Sequence, residues 1–258
     1  MSDTLVLCYH AVSPDWPAAL SIAPDAFERQ LSLLARRGYR GVTVGEALAG
    51  APAGRTVAIT FDDAYRSVLE LGRPILDRLG MRATVYAATD WPDRDEPMTW
   101  PGIDRWHGGA HEHELACMSW EELRGLADDG WEVGSHTCSH PHLTQLDDAR
   151  LDDELRRSRA ECEARMGRGC ESIAYPYGDV DERVVRAAGR AGYRFGVTLP
   201  SRGLHPPRPL YWPRVGVYHV DGQAEWRWRL KVSPGVRRLR GSPAWSALDG
   251  ARRSLRAR

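Results

Sequence analysis

Four segments of the chain obey one grammar: a helix-like stretch ends in Gly, a large side chain follows, and an apolar run comes next. They read LARRGYRGVTV, LDRLGMRATVY, LADDGWEVGSH and AGRAGYRFGVT, with the glycines at 38, 80, 130 and 192. Each Gly suits the left-handed position just past a helix C-terminus, so each segment is a helix-to-strand joint. The stretches PDAFERQLSLLARR, YRSVLELGRPILDRL, SWEELRGLADD and VDERVVRAAGRA read as helices, and the polar DDARLDDELRRSRAECEARM makes another. Strand-like runs lie after or between them: TLVLCYH, TVAITF, ATVYAA, WEVGSH, SIAYPY and YRFGVTL. This alternation predicts an α/β chain with a mostly parallel sheet and crossover helices, closed into a barrel, with an open doubly wound sheet as the alternative. Residues 90–115 read as a long surface loop.

A chain of 258 residues with 42% hydrophobic content can build one large core. Its 35 basic and 35 acidic side chains cancel, which argues against a nucleic-acid partner. Residues 226–258 are the exception, holding ten Arg or Lys against Asp249 alone. They are set apart as a basic, Arg-rich C-terminal tail behind a catalytic unit of residues 1–225. A solvated end is one reading of the tail, and peripheral contact with an anionic membrane or polyanion is the other. Five cysteines, an odd number with no C-x-x-C pair, fit a reducing compartment. With no leader-like opening and no apolar run of membrane length, the expectation is a cytoplasmic protein.

In parallel α/β folds, functional groups gather at the carboxyl ends of strands. Four polar clusters stand at such ends: His10, the pair Asp62 and Asp63, the histidines of GSHTCSHPHLT, and Tyr177. His136 and His140 have a spacing from which zinc sites draw paired imidazoles, although an exposed pair on a loop satisfies spacing alone equally well. Two adjacent carboxylates after an apolar strand each need a partner once buried. Asp63 can complete a two-His, one-carboxylate metal site while Asp62 takes a proton from water, or the pair can cap the helix that follows.

TFDDAY followed by SHTCSH resembles the first two motifs of the polysaccharide deacetylases that share the NodB homology domain, carbohydrate esterase family 4. The resemblance spans roughly residues 4 to 220. It implies a distorted (β/α)7-type barrel as a single catalytic domain. The implied activity is metal-dependent removal of N-acetyl groups from an N-acetylhexosamine glycan or glycoconjugate. Carried over by position, Asp62 is the base and Asp63, His136 and His140 hold a divalent metal, expected to be Zn2+ with Co2+ or Ni2+ as alternatives; His142 has no role. The family's R-x-P-[YF] motif is Ala174-Tyr175-Pro176-Tyr177 here, keeping Pro-Tyr without the Arg. Arg214, in WPRVGV, is the expected replacement through space, and the Tyr177 backbone N–H the expected oxyanion donor. The aromatic D-x-[DN]-W motif is absent. The late L-x-H motif has only a loose counterpart in Val217-Tyr218-His219. In the subgroup acting on poly-N-acetylglucosamine-type glycans, a Tyr-His pair in the first strand takes over that role. LCYHAVSP resembles that pair, so His10 is the expected acid and His219 the runner-up.

The implied partner is an N-acetylated sugar, an oligosaccharide, or a lipid- or nucleotide-linked amino sugar. O-acetyl esters, cyclic amides, and non-catalytic carbohydrate binding are alternatives on the same scaffold. Outside the motifs, His107, His111 and His113 offer a second metal site or merely a solvated loop. Cys138, between the two metal histidines, is not assigned as a ligand. Trp91, Trp100, Trp106 and Trp120 either stack on a sugar ring or pack onto the core.

Overall fold

The computed structural model describes residues 3–50, 54–199 and 207–233. All four joint glycines adopt the left-handed backbone, with φ of 77° at Gly38, 62° at Gly80, 86° at Gly130 and 96° at Gly192. The described strands are β1 (Asp3–Tyr9), β2 (Ala11–Val12), β3 (Ser21–Ile22), β4 (Tyr39–Val42), β5 (Arg55–Phe61), β6 (Thr84–Ala87), β7 (Glu132–Ser135), β8 (Ser172–Ala174), β9 (Phe195–Thr198), β10 (Trp212–Pro213) and β11 (Val215–Gly216). The α-helices are α1 (Pro24–Arg36), α2 (Val44–Leu48), α3 (Arg73–Arg78), α4 (Trp120–Asp128), α5 (Asp148–Met166), α6 (Glu182–Ala191), α7 (His219–Gln223) and α8 (Glu225–Val232).

The main sheet is parallel throughout and runs β10-β9-β8-β7-β6-β5-β1-β11. Only Arg214 separates β10 from β11, so the two ends of the row meet in one stretch of chain and the barrel nearly closes. The expected barrel is therefore the form adopted. Its distortion sits at β5, where β4 pairs with Arg55–Ala58 and β6 with Thr60–Phe61, while β1 runs along the whole strand. The helix expected over residues 65–79 is interrupted: a π-turn occupies Val68–Gly72 before α3 begins. Pro74 has no N–H for a regular α ladder at that point.

Alternate strand residues fill the barrel. At its amino end Glu132 accepts hydrogen bonds from Thr84 Oγ1, Ser172 Oγ and the Gly45 N–H of α2, which lies across the opening. Above this layer Val6, Ala58, Tyr86, Ala174 and Val197 form an apolar plug. Further along the same alternation come His10, Asp62 and His136, so the site is the top layer of a packed barrel. The helices bury the other strand faces. α5 does so with a stripe of Leu151, Leu155, Cys162 and Met166 that also contains Glu154 and Ser158. All five cysteines are free and buried. The basic segment drawn from residue 226 begins inside α8, whose Trp228 is fully buried with its ring 6.5 Å from that of Tyr9. Residues 234–258, the rest of that segment, lie outside the described residues. No described helix is long and apolar enough to cross a membrane.

Candidate active site

Asp62 and Asp63 leave the end of β5 in opposite environments. Both Asp62 oxygens are held by Arg214, Nη1 to Oδ1 at 2.6 Å and Nη2 to Oδ2 at 2.7 Å. The Arg214 side chain is fully buried and also donates to Thr60 Oγ1 at 2.9 Å. The Cys8 thiol donates to Asp62 Oδ2 at 3.4 Å from inside the barrel. Burial works against charge on Asp62, but the Arg214 guanidinium outweighs it and holds the carboxyl well below the usual carboxylate range. Asp63 has no such clamp. Burial, reinforced by the Asp62 charge, pushes its carboxyl well up, and its Oδ1 is buried without a hydrogen-bond partner.

That orphan oxygen faces two imidazoles. Asp63 Oδ1 lies 3.4 Å from His136 Nε2 and 3.4 Å from His140 Nε2. Two donors each about 2.1 Å from a tetrahedral ion stand about 3.4 Å apart, so the three atoms fit a zinc-like cation. The His136 Nδ1 is bonded to the Ala174 carbonyl at 2.8 Å, which leaves Nε2 as the nitrogen available to a ligand. The site residues stand on strained backbone, with φ of 71° at Asp63, 56° at Ala64, 68° at Thr137 and 62° at His140. Such strain persists only where the surroundings fix it. The segment after Asp63 is pinned by Met118 N–H to Ala64 O and Arg66 N–H to Ala116 O, at 2.9 and 2.8 Å. The histidine loop is pinned by Glu154, which accepts from the Cys138 N–H, the Ser139 N–H and the Ser139 hydroxyl. The Cys138 thiol points to the Glu154 carbonyl, consistent with its being left out of the ligand set. Trp100 stacks on the His140 ring at 4.3 Å, and Tyr177 packs edge-on against it at 4.6 Å.

His10 lies beside this centre, its Nε2 4.0 Å from Asp62 Oδ2. Burial lowers its pKa to about 4, with Arg214 adding to the shift and Asp62 opposing it. A histidine kept neutral in the fold but free to take a proton when unfolded makes the fold less stable as pH falls below its ordinary 6.5. Asp63, with its raised pKa, acts in the opposite sense over the same range, so a difference isolates His10. In metal-stripped protein, the stability of the wild type relative to His10→Gln is expected to drop by about 3 kcal/mol between pH 6.5 and pH 4, at about 1.4 kcal/mol per pKa unit. Urea unfolding across that range measures it, and a constant difference would contradict the burial of a neutral His10.

A cavity of about 320 Å³ opens above these groups. His10, Asp62, Asp63, His136, His140 and Tyr177 all line it. Arg214 lies beneath, reaching the site through Asp62. Ala18–Leu20 also line the cavity, as do residues 100–103, 105 and 106 of the long loop, including Trp100 and Trp106. His219, the runner-up for the acid, does not line the cavity, although its neighbour Tyr218 does. His142 stacks on Tyr177 at 4.0 Å and sits near Asp179, away from the three donors. His107 bonds the Met98 carbonyl, and the HGGAHEH histidines do not converge as a donor cluster among the described residues. Trp91 packs edge-on against Trp100, and Trp120 lies buried under Arg165.

The family profile described as Polysaccharide deacetylase matches residues 49–196. The Bacillus subtilis (strain 168) protein YxkH is 28% identical over 236 residues, covering 90% of this chain and 72% of that protein. The poly-beta-1,6-N-acetyl-D-glucosamine N-deacetylase of Staphylococcus aureus (strain MRSA252) is 25% identical over 210 residues, covering 76% of this chain and 67% of its own. Among solved structures, IcaB from Ammonifex degensii superposes with a TM-score of 0.70 at 25% identity, over 88% of this chain and 96% of that one. Streptococcus pyogenes deacetylase PplD in complex with acetate gives a TM-score of 0.70 at 22% identity, over 90% of this chain and 98% of that one, and bears on the fold alone.

Proposed function

This chain belongs to the polysaccharide deacetylase family, and from that premise we propose that it is a divalent-metal hydrolase removing N-acetyl groups from an N-acetylhexosamine glycan or glycoconjugate, with release of acetate. The observation that carries this reading is the division of labour between neighbouring carboxylates. Asp62 is clamped as an anion by Arg214, while Asp63 presents an unbonded oxygen 3.4 Å from two imidazole nitrogens. The similarity to the Staphylococcus aureus N-deacetylase supports an N-acetyl group over an O-acetyl ester.

A divalent ion held by Asp63, His136 and His140, with zinc preferred and cobalt or nickel as alternatives, would supply Lewis acidity toward the acetyl carbonyl and a water. Asp62 accepts the proton of the attacking water. Arg214 keeps Asp62 ionised and aimed, and for the same reason weakens it as a base, so the proton is held there only in passing. His10 Nε2 is the nearest imidazole nitrogen outside the ligand set, 4.0 Å from Asp62 Oδ2. It takes the proton on to the departing amine, which leaves poorly as an anion. The Tyr177 N–H, on left-handed backbone at φ 59° beside His140, serves as oxyanion donor. The position of His10 on the cavity wall favours it over His219 as the acid.

Acetate release from β-1,4- and β-1,6-linked N-acetylglucosamine oligomers, measured beside acetylated xylan after metal loading, tests the assignment. Turnover of the amides with little from the ester is expected. Release from xylan alone would replace the reading with that of an O-acetyl esterase.

A further inference from the structure

We propose that the outer face of α7 and α8 docks the protein on an anionic lipid bilayer and holds the mouth of the cavity at that surface. A surface helix ordinarily turns one apolar stripe inward and a polar face to water. α8 is apolar on two opposite sides. Trp228 and Val232 are buried against the barrel, whereas Trp226 and Leu230, one turn apart, are 64% and 48% exposed. Val220 on α7 is 47% exposed, and Leu71 is the one other large apolar side chain so exposed among the described residues.

The choice of a bilayer follows from the charges around that face. Arg227 and Arg229 flank Trp226 and Leu230 and are paired only with Asp221 and Glu225. Seven further arginines and a single acid follow α8 in residues 234–258. Exposed Trp and Leu interleaved with Arg, followed in the sequence by an excess of positive charge, is the chemistry that settles into the headgroup layer of anionic membranes. The face also adjoins the site. Tyr218 lines the cavity, and the His219 N–H that opens α7 donates to the Ala19 carbonyl in the cavity wall at 3.0 Å. A bilayer under α7 and α8 would therefore place a membrane-borne substrate next to the catalytic groups.

The test is sedimentation of the metal-loaded full chain with vesicles of phosphatidylcholine alone or mixed with phosphatidylglycerol. Wild type is expected to pellet with the anionic vesicles, weakly with neutral ones, and less in high salt. Trp226→Ser with Leu230→Ser is expected to weaken the anionic partition at least about tenfold while leaving circular dichroism and metal content unchanged. Failure of wild type to bind anionic vesicles, or equal binding by the double variant, overturns the proposal. So does a wild-type dimer in analytical ultracentrifugation that the double variant abolishes, since the face would then belong to a second copy. None of these readouts depends on acetate release, so docking and deacetylation stand or fall separately.

Discussion

Asp62→Asn is expected to lower acetate release by about 10²–10⁴-fold while leaving metal content at the wild-type level, because the substitution removes a proton acceptor and no ligand. The geometry makes these two outcomes separable. Cys8, His10 and Asp62 also stand close together, but Asp62 spends both oxygens on Arg214, whereas Asp63 turns an unbonded oxygen toward His136 and His140. Steady-state acetate assays beside metal analysis of the same samples check it. Loss of metal together with activity would move Asp62 into the ligand set, and full activity without the carboxylate would remove it from the chemistry.

Arg214→Leu is expected to give the largest loss of stability of any single change at the site, about 3–5 kcal/mol, because it leaves the Asp62 charge buried and unpaired. The guanidinium meets Asp62 and Thr60 in a place with almost no access to water. Neutralising both partners is expected to restore much of that loss, so Asp62→Asn with Arg214→Leu should be more stable than Arg214→Leu alone. Urea unfolding of the three variants closes the cycle. Additive losses would mean that Arg214 supports the fold by packing and not by holding the carboxylate.

The four site residues with the clearest sequence signal were legible because Asp62 and His136 follow directly on strands that their neighbours make obvious, with Asp63 next to the first and His140 at metal-pair spacing from the second. The barrel was legible for a related reason: a left-handed Gly after a helix and a short apolar run are both local signals. Partners that act through space carry no such signal. Arg214 lies 152 residues from Asp62, and sequence could offer it only as a substitute for a missing Arg. Cys8 and Thr60 touch the site because alternate strand residues enter the barrel, a consequence visible only once the strands are paired. Glu154 left one trace, a carboxylate within the apolar stripe of α5, and its purpose emerges where it binds the strained histidine loop. The two-residue strands β10 and β11 are too short for any period, yet they nearly close the barrel and carry Arg214 into it. The long loop read from residues 90–115 gives Trp100 to the support of His140.

Binding of a divalent ion by Asp63, His136 and His140, on which the proposed hydrolysis of an N-acetylated sugar depends, can be measured together with that hydrolysis. The most direct measurement is acetate released from N-acetylglucosamine oligomers by chelator-stripped protein titrated with Zn2+, with bound metal counted at each step. Release is expected to be negligible without metal and to rise to saturation at one ion per chain, with Asp63→Asn failing on both counts. Undiminished release from the stripped protein, or saturation by metal without any acetate, would contradict that expectation.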